Sequence, residues 1–168
     1  MMKKPQQWIS NLNLTPHPEG GFYCEAYRSD EVFLKTSLDD RYNGSRSVST
    51  SIYFLLMGNQ FSAFHKIKSD EIWHFYDGSS IRLYLILEDG KLEIKNVGIN
   101  IGKNEVPQIV IPRNVWFAAE PIDKESYTLV GCTVAPGFDF SDFELGTQND
   151  LAKDFPQHKN LITRLTRT

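Results

Sequence analysis

Between residues 22 and 134 the chain alternates short β-prone segments with turn residues, and this spacing limits the possible folds more than any other feature. A segment rich in β-branched and aromatic residues recurs roughly every eight to twelve residues, usually bounded by glycine or proline. Such spacing is typical of an antiparallel sandwich or barrel and not of βαβ units. The predicted strands cover residues 22–28, 48–57, 61–67, 71–76, 81–87, 92–97, 108–111, 115–119 and 127–134.

Helical patterns lie only near the two ends of the sequence. Apolar residues at helical spacing predict a short helix over residues 5–12. Thr147, followed three residues later by Asp150, resembles a capping box, so a second short helix should begin there and end near Pro156. The apolar spacing over residues 161–165 predicts one or two further helical turns.

Composition and charge narrow the class of protein. The 168 residues suit a single domain, which we expect to span residues 1–168. The net charge is −3, and the basic residues are scattered among acids, so a nucleic-acid partner is not expected. No apolar run approaches the ~20 residues of a membrane span, and the start has no signal-peptide pattern, so we expect a cytoplasmic protein without a membrane partner. Cys24 and Cys132 show no zinc-ligand spacing and should be free thiols in strands.

The stretch from Gly58 to Gly78 carries the most informative motif. It resembles the first cupin motif, in which a glycine precedes a His-x-His pair, and a glutamate and a second glycine follow. His65, Glu71 and Gly78 match that pattern at the family spacing, whereas Ile67 stands at the second histidine. Gly58 is one residue too far upstream.

The second cupin motif is matched only in part. Pro112 fits its proline, but Asn114 replaces the glycine, and Phe117 stands where the histidine belongs. The expected asparagine falls at Pro121. The resemblance therefore implies that two of the four metal ligands of the cupin motifs are missing.

Longer strings extend the resemblance over residues 12–165, almost the whole chain. The sequence is similar to a cupin-like family of unknown function found in bacteria and fungi. The resemblance implies an all-β double-stranded β-helix, the cupin or jelly-roll barrel, with a short N-terminal helix and short C-terminal helical turns. It also implies a homodimer formed through the sheets. The matching strings are His-Pro-Glu-Gly-Gly-Phe-Tyr at 17–23, Tyr-Arg-Ser at 27–29, Phe-His at 64–65, Asp-Glu-Ile-Trp-His at 70–74, Trp-Phe-Ala-Ala-Glu at 116–120 and Ala-Pro-Gly-Phe at 135–138.

Strand alternation places the matched residues around a predicted cavity. Side chains two residues apart in a strand share a face. If His65 and Glu71 point inward, as in the family pattern, then Trp73, Phe75 and Phe117 line the same aromatic, largely apolar pocket. We predict that His65 and Glu71 form its polar floor and are the catalytic candidates, because a histidine beside a carboxylate can act as a general base. The alternative is that both residues only stabilise a pair of strands.

The loop over residues 16–21 is a second candidate region. A barrel open at one end would let this loop, with His17 and Glu19, form the rim of the pocket. We predict ligand contacts for Glu19 and for Tyr23 and Arg28 on the following strand, where Arg28 would suit a ligand carboxylate or phosphate. The alternative is a structural turn with polar groups on the surface.

A metal site is not expected from these residues. A catalytic metal typically needs three protein ligands and open positions. His65 and Glu71 supply two, and His74 is the nearby candidate for a third, but alternation places His74 on the opposite face from Glu71. We therefore expect no metal and no cofactor; if a metal binds, its ligands should be His65, Glu71 and His74.

Three functions are compatible with this pattern. The first is an enzyme acting on a small polar, sugar-like metabolite as a metal-independent epimerase or isomerase, by analogy with the dTDP-sugar epimerases among metal-free cupin-type barrels. The second is a small-molecule binding module without catalysis. The third is a metal-dependent dioxygenase or isomerase, which the missing ligands disfavour.

Overall fold

The computed structural model describes residues 5–167 and consists mainly of antiparallel strands. In chain order the strands are β1 (Thr15–Pro16), β2 (Phe22–Arg28), β3 (Val32–Phe33), β4 (Arg46–Ser47), β5 (Thr50–Met57), β6 (Ser62–Ile67), β7 (Asp70–Gly78), β8 (Ile81–Ile86), β9 (Leu92–Val97), β10 (Gln108–Ile111), β11 (Trp116–Pro121), β12 (Tyr127–Ala135) and β13 (Phe143–Leu145). The α-helices are α1 (Pro5–Asn11), α2 (Gln148–Asp154) and α3 (Lys159–Arg164). Short 3₁₀ turns lie at Lys35–Ser37, Ile101–Lys103, Phe140–Asp142 and Pro156–His158.

Two antiparallel sheets form the barrel. The six-stranded sheet has the order β1-β2-β5-β12-β7-β10, and the five-stranded sheet has the order β13-β6-β11-β8-β9. β3 and β4 form a separate two-stranded ribbon. Buried residues of both sheets share one apolar cluster, so the two inner faces pack against each other. The predicted jelly-roll barrel with short terminal helices is confirmed.

The inside of the barrel is filled at one end and open at the other. Along β5, Thr50 and Ile52 line a cavity, whereas Leu56 belongs to the fully buried cluster. β12 runs the opposite way, so its late residue Val134 lines the cavity, and its earlier residue Val130 lies in the filled end. The start of β5 and the end of β12 therefore mark the open end of the barrel.

The helices cover the outside of the barrel and brace the strands that carry the site. α1 packs its apolar face on Leu55 and Leu129. α2 and α3 place Leu151 and Ile162 against Phe64 of β6. Thr147 caps α2, where its side chain accepts a hydrogen bond from the Asp150 amide, as the capping pattern predicts. None of the described helices is long and apolar enough to cross a membrane.

Candidate functional site

A cavity of about 540 Å³ occupies the open end of the barrel. Six of the predicted site residues line it, namely Glu19, Tyr23, Arg28, His65, Glu71 and Trp73. They come from β2, β6, β7 and the loop before β2, so the fold gathers residues that lie far apart in the sequence. Cys132 of β12 lines the cavity as well, although the sequence predicted for it only a free, buried thiol.

The loop before β2 folds back over the open end because two glycines adopt backbone angles that other residues rarely adopt. Gly20 has φ +120° and Gly21 has φ +72°. A Cβ atom on Gly20 would collide with the carbonyl oxygen of Phe61, and one on Gly21 with that of Leu55. The tight turn points the Glu19 side chain into the barrel, where it is 7% exposed. The loop is thus not a turn with polar groups on the surface.

Glu19 meets His65 inside the barrel. Glu19 Oε2 lies 3.0 Å from His65 Nε2, and Ser62 Oγ donates a hydrogen bond to Glu19 Oε1 over 2.8 Å. The other ring nitrogen, Nδ1, lies 2.7 Å from the carbonyl oxygen of Ala63. A carbonyl oxygen can only accept, so Nδ1 carries a hydrogen, and the contact between Nε2 and Oε2 holds one shared proton.

Burial favours the neutral forms of both partners in this contact. Desolvation raises the pKa of Glu19, against the opposing influence of His17. Desolvation also lowers the pKa of His65 and that of His17. Burial therefore opposes full charge separation across this contact, since each charged form alone would lose its hydration without full compensation.

Glu71 lies near this pair and titrates close to neutral pH. Burial raises the pKa of Glu71 to about 7, while His65 and the donors of Trp73 and Cys132 lower it and Glu19 raises it further. The sequence predicted that His65 and Glu71 meet as a pair, but the carboxyl group in direct contact with His65 is that of Glu19. The sequence missed this because the loop and β6 are brought together only by the fold.

The indole N–H of Trp73 is a buried donor without a partner. Trp73 lines the cavity and is 1% exposed, and its Nε1 makes no hydrogen bond to any described residue. The N–H of Trp73 lies beside the Glu71 carboxyl group and lowers its pKa, but no contact with the geometry of a hydrogen bond joins the two groups. Buried donors are nearly always satisfied in native proteins, so this one is available to a ligand.

The segment that follows β12 adds an aromatic wall that the sequence interpretation did not assign to the site. Phe138, Phe140 and Phe143 line the cavity. The His17 ring stacks on Phe140 with centroids 6.1 Å apart and meets Tyr23 edge-on at 4.5 Å. The three phenylalanines crowded into residues 138–143 were the available signal, but only the fold shows which way they face.

A buried ion pair anchors this wall. Arg46 of β4 contacts both carboxylate oxygens of Asp142, each at 2.6 Å. The Phe138 amide also donates to Thr50 Oγ1 over 2.9 Å. These contacts tie the segment to the barrel strands beside the cavity.

Arg28 lies at the cavity mouth but is already engaged. Its Nε and Nη2 donate to the two carboxylate oxygens of Glu25 at 2.9 and 2.7 Å. Nη2 also donates to the Phe138 carbonyl oxygen over 3.2 Å. Arg28 thus lines the cavity mouth, and a ligand carboxylate or phosphate would compete there with Glu25.

Two predicted lining residues lie outside the cavity wall. Phe75 pairs with Val130 and packs against the filled end, because it sits two residues further along β7 than Trp73. Phe117 lies behind His65, with ring centroids 4.0 Å apart, and is 1% exposed. Phe117 therefore supports the histidine and does not face a ligand.

The residues present do not fit the metal that the cupin motifs imply. Ile67 and Phe117 stand at two of the ligand positions and offer no donor atom. His74 does not line the cavity and contacts Thr133, with 3.3 Å between Nε2 and Oγ1. Across residues 5–167, no three His, Cys, Asp or Glu side chains form a group that could hold a metal ion.

Comparisons with known proteins agree with this architecture. Residues 6–146 match the family described as Cupin superfamily (DUF985). An uncharacterized protein of Saccharomyces cerevisiae is 31% identical over an alignment of 149 residues that covers 82% of this chain and 72% of the yeast protein. The crystal structure of a Shewanella oneidensis protein matches with a TM-score of 0.90 and 37% identity, covering 99% of both chains. A hypothetical protein from Leishmania major matches with a TM-score of 0.89 and 31% identity, covering 99% of this chain and 100% of that one.

Proposed function

This chain belongs to the Cupin superfamily (DUF985), and from that premise we propose that its cavity binds a small polar metabolite and moves a proton on it without a metal. The observation that carries the proposal is the cluster of Glu19, His65 and Glu71, buried at the inner end of an open cavity of about 540 Å³. A metal-independent epimerase or isomerase of sugar-like molecules is the activity such a cluster suits.

Glu71 is the group that exchanges the proton with the ligand. Its carboxylate removes a proton from a carbon beside a ligand carbonyl, and the electron pair of that C–H bond moves to the carbonyl oxygen as an enolate forms. When solvent protonates the opposite face of that carbon, or Glu71 does so after the ligand has turned over, the product is an epimer. When the neighbouring hydroxyl proton moves to the enolate oxygen and Glu71 returns its proton to the former carbonyl carbon, the product is an isomer. A base with a pKa of about 7 is well matched to this reaction at neutral pH.

His65 serves as a positioning residue. Both of its ring nitrogens are occupied, one by Ala63 and one by Glu19, so neither is free to take a proton from a ligand. Its effect on the ligand therefore passes through Glu71, whose pKa it lowers. Glu19 in turn holds the His65 ring at Nε2, and Ser62 holds Glu19.

The test is hydrogen exchange into a panel of reducing hexoses and pentoses in D₂O, followed by mass spectrometry. We expect the wild type to incorporate deuterium beside the carbonyl of at least one sugar, and Glu71→Gln to lower that rate by roughly 100-fold or more. Glu105→Gln is the matched control, because Glu105 is also buried, accepts from the Asn100 amide over 2.8 Å and lies outside the cavity lining. Equal rates in the wild type and Glu71→Gln would overturn the assignment of the base.

The pH profile of exchange separates positioning by His65 from a merely structural role. The wild-type rate should rise as pH passes about 7, because the base must be ionised. His65→Gln removes an interaction that lowers the Glu71 pKa, so the midpoint should move to higher pH. A lower rate with an unmoved midpoint would mean that His65 does not act through Glu71.

A binding module without catalysis is the second candidate, and the unpartnered Trp73 N–H together with the aromatic wall favours it. These groups can hold a ligand without any proton transfer. In that case a sugar would bind saturably in calorimetric titration, no deuterium would enter it, and Glu71→Gln would change affinity alone.

A further inference from the structure

The floor of the cavity presents hydrogen-bond donors to a ligand. Trp73 Nε1–H has no partner, and the ring cannot turn to find one because Phe54 and Phe117 hold it edge-on with centroids 5.8 and 6.2 Å away. Beside it, burial raises the pKa of Cys132 well above its usual value, so Cys132 is a neutral thiol facing Glu71. A ligand atom that reaches Trp73 Nε1 must accept a hydrogen bond there, as a hydroxyl or carbonyl oxygen does.

The ionisable groups deeper in the cavity add no positive charge to the floor. The Glu19–His65 contact holds one shared proton and is neutral as a unit. His17 is held neutral because burial lowers its pKa and its Nδ1 accepts from the Glu19 amide over 3.3 Å. Arg167 donates to the Glu19 carbonyl oxygen from outside the cavity lining. Glu71 carries no charge when protonated and a negative one when ionised.

The mouth of the cavity is slightly acidic. Arg28 is the cation among the described lining residues, and Glu25 neutralises it through two hydrogen bonds. Asp139 also lines the mouth, where hydrogen bonds from Ser141 lower its pKa and keep it ionised. One positive and two negative charges leave the mouth with a net charge of −1. An anionic ligand would therefore meet net repulsion at the mouth and no free cation inside.

We propose that this cavity selects a hydroxylated sugar that carries no anionic group, one oxygen of which accepts from Trp73 Nε1–H beside Glu71, and that it rejects phosphorylated and carboxylated sugars. This inference rests on the proposed function, since it names the class of ligand on which that function acts. Selection comes from the unfilled donor on the floor and from the absence of a free cation in the described lining.

The test uses one carbon skeleton in several charge states. D-glucose, glucosamine, gluconate and glucose 6-phosphate are titrated at low ionic strength into protein labelled with ¹⁵N at its tryptophan indoles. Trp8→Phe and Trp116→Phe assign the three indole signals by elimination. We expect glucose to move the Trp73 N–H proton signal downfield in a saturable way, because the N–H gains an acceptor. Glucosamine should bind at least as tightly as glucose, because the mouth is slightly acidic. Gluconate and glucose 6-phosphate should bind at least tenfold more weakly than glucose.

Variants sharpen the outcome. Trp73→Phe should weaken glucose binding roughly tenfold, as expected for one lost hydrogen bond, whereas Trp116→Phe, whose ring lies outside the lining under Lys66, should not. The wild-type titration decides the matter even if Trp73→Phe fails to fold. Anions that bind as tightly as glucose, or no saturable shift with glucose, would overturn the inference. If anions bind tightly and deuterium still exchanges into a sugar, this inference is wrong and the proposed function stands. If glucose binds but no deuterium exchanges into any sugar, the proposed proton transfer is wrong and this inference stands.

Discussion

Two buried polar clusters lie on either side of the aromatic wall, and they differ in how completely their charges are matched. In the first, Arg46 and Asp142 have side chains that are 5% and 3% exposed and share two hydrogen bonds of 2.6 Å. The remaining guanidinium nitrogen, Nη1, donates to the Ser45 carbonyl oxygen, and Nη2 donates to Ser141 Oγ as well as to Asp142. Every charge there has a permanent partner, so the cluster can only hold the segment in place.

The second cluster, in the cavity, has two carboxyl groups and two imidazoles, those of His65 and His17, but no permanent cation among its lining residues. Glu19 and His65 share a proton, and Glu71 has its pKa raised to about 7 by burial. The first cluster is therefore fixed, whereas the second can gain or lose a proton near neutral pH. The contrast separates a buried ion pair that anchors structure from a buried acid that is left partly uncompensated beside a cavity.

The largest effect should follow from breaking the ion pair of Arg46 and Asp142, which we call the matched pair. Arg46→Met leaves Asp142 buried and charged, which typically costs about 3–5 kcal/mol. Lys68 Nζ, 3.6 Å from Asp142 Oδ1, compensates in part, so we expect the lower end of that range. The free energy of unfolding is measured by urea denaturation.

The control for this prediction is the double variant Arg46→Met/Asp142→Leu. Removing both charges should restore much of the lost stability, because no uncompensated ion is left behind. A double variant as unstable as Arg46→Met would mean that packing of the arginine side chain, and not its charge, holds the segment.

The next largest effect is on the pH dependence of stability, and it concerns the second cluster, the one that contains Glu19, His65 and Glu71. Glu71 ionises at about 7 in the folded protein and at the ordinary value of 4.5 when unfolded. Between these values the folded state holds more protons than the unfolded one, so the contribution of Glu71 to stability falls as pH rises. Glu71→Gln removes this loss. It should match the wild type near pH 4 and be more stable by about 3 kcal/mol at pH 8.

Urea denaturation of both proteins from pH 4 to pH 8 measures this difference. The agreement near pH 4 is an internal control for packing effects of the amide. If the difference stayed constant across the range, Glu71 would titrate at its ordinary value, and the contrast between the two clusters would disappear.

The barrel could be predicted from the sequence because strand spacing and turn residues are local features. The family pattern placed His65 and Glu71 inward and alternation added Trp73, and the structure finds all three on the cavity. Contacts between distant segments were not visible. Glu19 reaches His65 only after the glycine turn folds across the barrel, and Phe138 faces the cavity only because its segment is tied to distant strands.

Alternation also failed where it was extended too far along a strand. It put Phe75 on the cavity because Phe75 shares a face with Trp73. The face continues into the filled end of the barrel, and a pattern of period two contains no information on where a cavity stops. The depth of a cavity is set by the bulk of side chains from the opposite sheet, such as Leu83 and Ala119.

A smaller effect is expected for Ser62→Ala. Ser62 is 0% exposed and donates to Glu19 Oε1 over 2.8 Å, so its removal leaves a buried acceptor without its donor. The loss should be about 1 kcal/mol in urea denaturation. Ser62→Cys, which keeps a weak donor, should lose less. A loss equal to that of Arg46→Met would mean that the cavity cluster anchors the structure as firmly as the matched pair does.

The smallest effect should come from Arg28→Gln. The Arg28–Glu25 pair has the same bidentate geometry as the matched pair, but it is exposed to water. Arg28 donates two hydrogen bonds to Glu25, as Arg46 does to Asp142. The side chains of Arg28 and Glu25, however, are 43% and 40% exposed. Solvated pairs of this kind contribute about 0–1 kcal/mol, because water replaces the lost partner and salt screens the attraction. Arg28→Gln should therefore change the free energy of unfolding by less than 1 kcal/mol, and added salt should shrink that difference further. A loss approaching that of Arg46→Met would show that bidentate geometry, and not burial, sets the strength of both pairs. It would also mean that the mouth of the cavity is held as rigidly as its wall.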